Sequence, residues 1–185
     1  MKNSRINNRY AKALFDLAVE QNFLDQAYQD MQLVKSICKS NRDFDLLLTS
    51  PVIKTDKKQA IMNEIFGNQI NKVSLAFLML IMKKRREANL KSIAISFIAD
   101  YKEFKGIKVA HLKTAAEIDT QTREQFKDIL TNQSNKKIEL LEEINPALIG
   151  GFVVTIDDKQ SDSSVSTKIQ KLRKEFNVNV YEKGF

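Results

Sequence analysis

The chain holds one cysteine, Cys38, and one histidine, His111. A Cys–His dyad needs the imidazole within hydrogen-bond reach of the thiol it activates. Cys38 falls on the apolar stripe of a predicted helix, as a small core hydrophobe. His111 falls in a predicted strand of a different domain, so the two are not expected to meet. A single histidine also excludes a histidine pair for a metal. Glu142-Glu143 and Asp157-Asp158 are adjacent carboxylates. Neighbours in an extended segment point to opposite faces, so neither pair makes an acid–base couple, and solvated turn charge explains them. No GxGxxG or GxxxxGK[ST] run is present to cradle phosphate. Gly150-Gly151 precedes a strand, where two glycines permit a bulge or a close backbone approach. Lys83 to Arg86 is a basic run at a predicted helix end, where cations complement the helix dipole. Nucleic-acid sites usually add aromatics or a second basic stripe, and here the core-side neighbours are aliphatic. The inventory supplies no catalytic, cofactor or metal residues. It points to an interaction protein, with a basic helical nucleic-acid-binding module as the alternative.

The elements that carry these residues follow from composition and period. The 185 residues include five glycines and two prolines, too few for a turn-rich β-barrel and suited to long helices. Apolar residues make up 43% of the chain, enough for a packed core. One cysteine allows no disulfide within the chain, which fits a reducing compartment. The longest uninterrupted apolar run, Leu75 to Met82, is eight residues, against ~20 for a membrane span. The basic start could pass for a presequence, but Asp16 and Glu20 carry the same helical pattern into the domain.

Tyr10, Ala13, Leu14 and Leu17 fall at helical spacing and form one stripe. Ala27, Met31, Val34 and Cys38 form the next. Phe44, Leu47 and Leu48 make a short helix stopped by Ser50-Pro51. Thr55 is a predicted N-cap for a helix to Phe66, with Ile61 and Ile65 inward and Gly67 at its end. Val73 to Met82 is apolar almost all round, which predicts a central helix surrounded by neighbours. A last helix of this group runs from about Glu87 to Phe104, with Leu90, Ile93, Phe97 and Tyr101 inward.

After Gly106 the period changes. Val109 to Thr114 is predicted as a strand with Ala110, Leu112 and Thr114 on one side. A helix capped by Asp119 or Thr120 carries Phe126, Ile129 and Leu130. Ile138 and Leu140 begin a second strand, and Phe152, Val154 and Ile156 alternate in a third. Val165, Ile169, Leu172 and Phe176 form one seam on a final helix, expected to pack on the domain's own strands. Charge divides at the same place. Residues 1–105 hold 18 Lys and Arg against 11 Asp and Glu; residues 106–185 hold 12 of each. The fold expected is mainly α: an N-terminal helical bundle, residues 1–105, then a small α+β domain, residues 106–185.

Three stretches carry a resemblance. Arg9-Tyr10-Ala11-Lys12-Ala13-Leu14-Phe15-Asp16-Leu17-Ala18 resembles the first helix of the delta subunit of bacterial F-type ATP synthases. That family is the counterpart of the mitochondrial oligomycin-sensitivity-conferring protein. Arg85-Arg86-Glu87-Ala88-Asn89-Leu90 resembles the family's basic turn before its last bundle helix. Pro146-Ala147-Leu148-Ile149-Gly150-Gly151-Phe152, followed by Asp162-Ser163-Ser164-Val165, resembles its Gly-Gly strand and Asp-x-Ser-Val motif. Two departures are Thr155, where a basic or amide residue is usual, and the lack of a glycine near Asp157.

The resemblance implies a six-helix N-terminal domain and a small α+β C-terminal domain. It implies a stator subunit, one copy in a hetero-oligomeric complex, that catalyses nothing and binds no cofactor or nucleic acid. The bundle would take the N-terminal helix of an alpha subunit of the catalytic head, and residues 106–185 would take the peripheral stalk b subunits. The location implied is the cytoplasmic face of the bacterial inner membrane, peripheral and not inserted. The implied groove lies between the first and central helices, with Tyr10, Ala13, Leu14 and Leu17 facing Phe77, Leu80 and Ile81. Small Ala13 is the residue best suited to let another helix approach.

Overall fold

The structure, a computed structural model, describes residues 2–134 and 136–177. It forms two compact units that meet in sequence at Lys105 and Gly106. Gly106 adopts φ 65°, a left-handed conformation that stops the preceding helix at no steric cost.

Six helices make the first unit: α1 (Lys2–Glu20), α2 (Leu24–Ser40), α3 (Arg42–Thr49), α4 (Thr55–Phe66), α5 (Lys72–Lys83) and α6 (Leu90–Phe104). A 3-10 turn, Glu87–Asn89, leads into α6. Ala11, Leu14 and Ala18 are fully buried on α1, and Ala27, Met31 and Val34 on α2. Asn41 caps α3 by accepting from the Phe44 amide at 3.1 Å, and Asn71 caps α5 by accepting from Val73 at 2.9 Å. Asp30, buried on α2, accepts from the Asn71 amide at 3.1 Å and so ties the start of α5 to α2. Near the end of α6 the Tyr101 hydroxyl donates to Asp25 Oδ1 at 2.7 Å, and Lys105 Nζ lies 2.8 Å from the same oxygen. Tyr28 stacks on Tyr101 at 3.9 Å.

Three expectations for the bundle are corrected. The central helix is α6, which packs on both α1 and α2 and buries Leu90, Ile93, Ala94, Phe97, Ile98 and Tyr101. α5 packs chiefly on α4 and has an exposed side. On α4 the inward residues are Lys58, Met62 and Phe66, while Ile61 and Ile65 are half-buried. Lys58 turns inward because its ammonium is held at 2.8 Å by both Leu48 O and Glu87 Oε1. Thr55 begins this helix rather than capping it; the cap position is Lys54, which makes no side-chain cap bond.

The second unit runs β1 (Ile107–Thr114), α7 (Thr120–Ser134), β2 (Lys137–Ile144), a 3-10 turn (Pro146–Leu148), β3 (Phe152–Ile156), β4 (Lys159–Asp162) and α8 (Val165–Asn177). The sheet order is β2-β1-β3-β4, with β1 parallel to β2 and antiparallel to β3. Ala110, Leu112, Leu130 and Val154 form its core, with Phe126, Ile138 and Phe152 packed against them. Ile129, expected inward, is 53% exposed. β4 was not predicted: Lys-Gln-Ser-Asp has no apolar alternation, and it is an edge strand paired only with β3. Asp157 adopts φ 51° in the β3–β4 turn and pairs with Lys108.

Candidate partner-binding surfaces

Cys38 and His111 belong to different units. Cys38 is buried on α2, and burial pushes its thiol up to about 11, so little thiolate forms. His111 is exposed on β1, opposite Leu141 and Thr155. Among the described residues no group of three His, Cys, Asp or Glu could hold a metal ion. Among them, too, no helix is long and apolar enough to cross a membrane.

What the surface offers is apolar. The residues proposed for a groove divide into two sets. Leu14 and Ile81 are fully buried and Phe77 is 8% exposed, so these three are core of the isolated bundle. Tyr10 and Leu17 are half-buried, and Ala13 and Leu80 are exposed. On α1, Ile6, Tyr10, Ala13 and Leu17 run beside the buried stripe at spacings of four, three and four, so they share one flank. Phe15, on the opposite flank, meets Phe97 and Phe104 of α6 at 6.2 and 5.5 Å between ring centres. On the outer side of α5, Ala76 and Leu80 are exposed and Leu75 and Met79 half-buried. The helix's one hydroxyl, Ser74, is fully buried, and its Oγ has no hydrogen-bond partner. A helix that buries Phe77, Leu78, Ile81 and Met82 and still leaves Ala76 and Leu80 exposed has a second apolar side that is not arranged for water. Ile6, Leu75, Ala76 and Met79 escaped the sequence reading, although the helical spacing of Ile6 and the lack of polar residues on α5 were there to be read.

The second surface is α8. Its start is fixed by both motifs of the C-terminal stretch acting together. Asp162 accepts from the Ser164 amide and the Thr167 hydroxyl, each at 2.8 Å, and Ser164 Oγ accepts from the Thr167 amide at 3.2 Å. These bonds hold the Asp162 carboxyl below the usual carboxylate range, the Ser164 backbone bond contributing most. Gly151, at φ 74°, lies so close that a Cβ would stand 2.4 Å from Ser163 O. The Val165 amide donates to Gly150 O at 2.9 Å. The glycine pair therefore exists to let the strand press against the helix cap. The seam that follows is not buried as expected. Val165, Ile169, Leu172 and Phe176 are 37, 42, 53 and 86% exposed. The sheet's core is already closed by α7, and α8 packs on the Pro146–Leu148 turn instead.

Comparison with known proteins decides what this architecture is. The ATP synthase delta (OSCP) subunit family matches residues 6–176. The chain belongs to that family. It is 37% identical over 180 residues to the ATP synthase subunit delta of Cytophaga hutchinsonii, covering 97% of this chain and 98% of that one. Identity to the same subunit of Amoebophilus asiaticus is 32% over 180 residues, covering 97% and 98% of the two chains. The fold resembles a chain in the cryo-EM structure of the Toxoplasma gondii mitochondrial ATP synthase hexamer, with TM-score 0.72 and 22% identity. That likeness covers 94% of this chain and 98% of the other. As a member of the delta (OSCP) family the chain is a non-catalytic component of the ATP synthase peripheral stalk. The match gives no support to a nucleic-acid reading of Lys83 to Arg86.

Proposed function

We propose that this subunit holds the catalytic head to the peripheral stalk by using the two apolar surfaces for two partners. The face made by Ile6, Tyr10, Ala13 and Leu17 of α1 and by Leu75, Ala76, Met79 and Leu80 of α5 takes an amphipathic N-terminal helix of an alpha subunit. α1 packs mainly on α6, and α5 mainly on α4, so neither covers the other. Helix-in-groove docking needs apolar anchors at i, i+3, i+4 and i+7, and this face supplies aliphatic walls with one small residue, Ala13, for close approach. The α8 seam takes the end of the stalk b subunits. One copy works in the complex, at the cytoplasmic face of the bacterial inner membrane and without inserting into it.

The mechanical logic is that of a clamp. Ion flow turns a rotor, and the head would turn with it unless a subunit gripped head and stalk together. The observation that carries the proposal is the second apolar face of α5: Phe77, Leu78, Ile81 and Met82 are buried, while Ala76 and Leu80 are exposed. Calorimetric titration with a synthetic alpha N-terminal peptide tests it. Ala13→Asp and Leu80→Asp should each abolish binding and leave the helical circular dichroism unchanged. Undiminished affinity in both would remove this face from the site.

A further inference from the structure

At the C-terminal end of α5 the bundle contains a polar cleft of about 940 Å³, between the α3–α4 loop and the turn that leads into α6. Lys58 and Glu87 both line it. The Lys58 side chain is 3% exposed and that of Glu87 12% exposed. Lys58 uses two of its three N–H donors, on Leu48 O and Glu87 Oε1. Glu87 Oε2 is buried and accepts no hydrogen bond. That oxygen is closed off from solvent, and the Lys58–Glu87 pair forms part of the cleft wall. Lys54, Lys83 and Arg85 add three cations to the lining, against Asp56. The α4 N-terminus also opens here: Lys54 offers no side-chain cap, so the first amides of the helix are left for an external acceptor. Val52, also on the lining, is 87% exposed. Lys83 stands three residues after Leu80, on the same side of α5, so the cleft continues the exposed aliphatic face.

We infer that this cleft docks an acidic, extended peptide segment that continues from the helix lying on α5. Its carboxylates meet Lys54, Arg85 and the uncapped start of α4. The position of the segment rests on the docking face proposed above; its chemistry rests on the cleft alone.

The test uses the full chain in the assembled ATP synthase. Val52→p-benzoylphenylalanine places a photo-cross-linker at an exposed position, and mass spectrometry identifies the peptide captured. The expected product is a stretch rich in Asp and Glu, on the same polypeptide whose binding Leu80→Asp abolishes. In parallel, Lys54→Glu with Arg85→Glu should weaken binding to the complex stripped of this subunit by about tenfold at low salt. That difference should vanish above about 0.5 M salt, where exposed charges are screened. No cross-link to another subunit, capture of a neutral or basic stretch, or unchanged affinity in the double variant would overturn the inference. If Leu80→Asp binds normally while Val52 still captures an acidic stretch, the cleft stands and the α1–α5 docking face fails.

Discussion

The two units bury their apolar residues very differently. Among the described residues, 23 buried apolar side chains lie in residues 1–105 and five in residues 106–177. The bundle closes a deep core around Leu14, Met31, Phe66, Leu78 and Phe97, and exposes aliphatics on particular helix flanks and at Val52 in the α3–α4 loop. The second unit closes a thin core between sheet and α7, then leaves α8 without a buried residue among the described positions 165–176. A helix with an apolar seam and no core of its own gains its packing from something else. The bundle thus closes its own core, while the second unit leaves an apolar seam that the proposed stalk contact would cover. A unit of ~80 residues has a marginal core in any case, so its reliance on a partner is physically expected.

The sharpest way to break this contrast is a pair of truncations. Phe97→Ala, at a fully buried site against Phe15, should cost the bundle about 3–5 kcal/mol in chemical denaturation. Leu172→Ala, at a site 53% exposed, should change stability by less than about 0.5 kcal/mol. It should nevertheless weaken binding of the b subunits in a pull-down. Comparable losses of stability at the two sites would mean that α8 is core and the contrast is false.

The next largest effect is expected at the joint beneath α8. Gly151→Ala puts a Cβ 2.4 Å from Ser163 O at a left-handed φ. It should destabilise the second unit by about 2 kcal/mol and leave the melting of the bundle unchanged, as followed by amide exchange. Ile149 has the opposite expectation. It is β-branched at φ 64° and 67% exposed, so Ile149→Gly should stabilise the second unit by about 1 kcal/mol. A loss instead would show that the side chain packs on something the strain argument ignores.

The smallest effect is a pH dependence. The folded pKa of Asp162 is depressed by the bonds it accepts from Ser164 and Thr167. Its contribution is present above the ordinary carboxylate pKa and is lost as pH falls through the depressed value. Asp162→Asn should flatten that acid limb for amides at the start of α8. A variant with the same acid limb as the natural chain would leave the capping role unsupported.

Much of this contrast was readable beforehand. The change of period and of charge at Gly106 marked the boundary because glycine, helix end and charge excess coincide there. Stripes such as Leu90, Ile93, Phe97 and Tyr101 identified the buried face of α6 because a surface helix shows its core side in the sequence. α5 defeated the same logic. A helix apolar all round can be wrapped by its own chain or await a partner, and period alone does not distinguish the two. The α8 seam failed similarly: a spacing of four, three and four shows that a face is meant to be buried, not by what. The inward face of α4 was misplaced because a buried lysine paired with a distant glutamate leaves no local signal. Of the groove residues, the sequence stripe on α1 mixed the core residue Leu14 with the flank residues Tyr10, Ala13 and Leu17, and only packing separates them.

The central claim is that head binding resides in the bundle alone and stalk binding in the second unit. It is tested most directly by titrating the head, stripped of this subunit, with residues 1–105 and with the full chain. The fragment holds both α1 and α5, so its affinity should match the full chain within a factor of ten, about 1.4 kcal/mol, while it fails to bind the b subunits. A larger loss of head affinity would show that residues 106–185 help to form the head site, and the division of labour between the two units would be wrong.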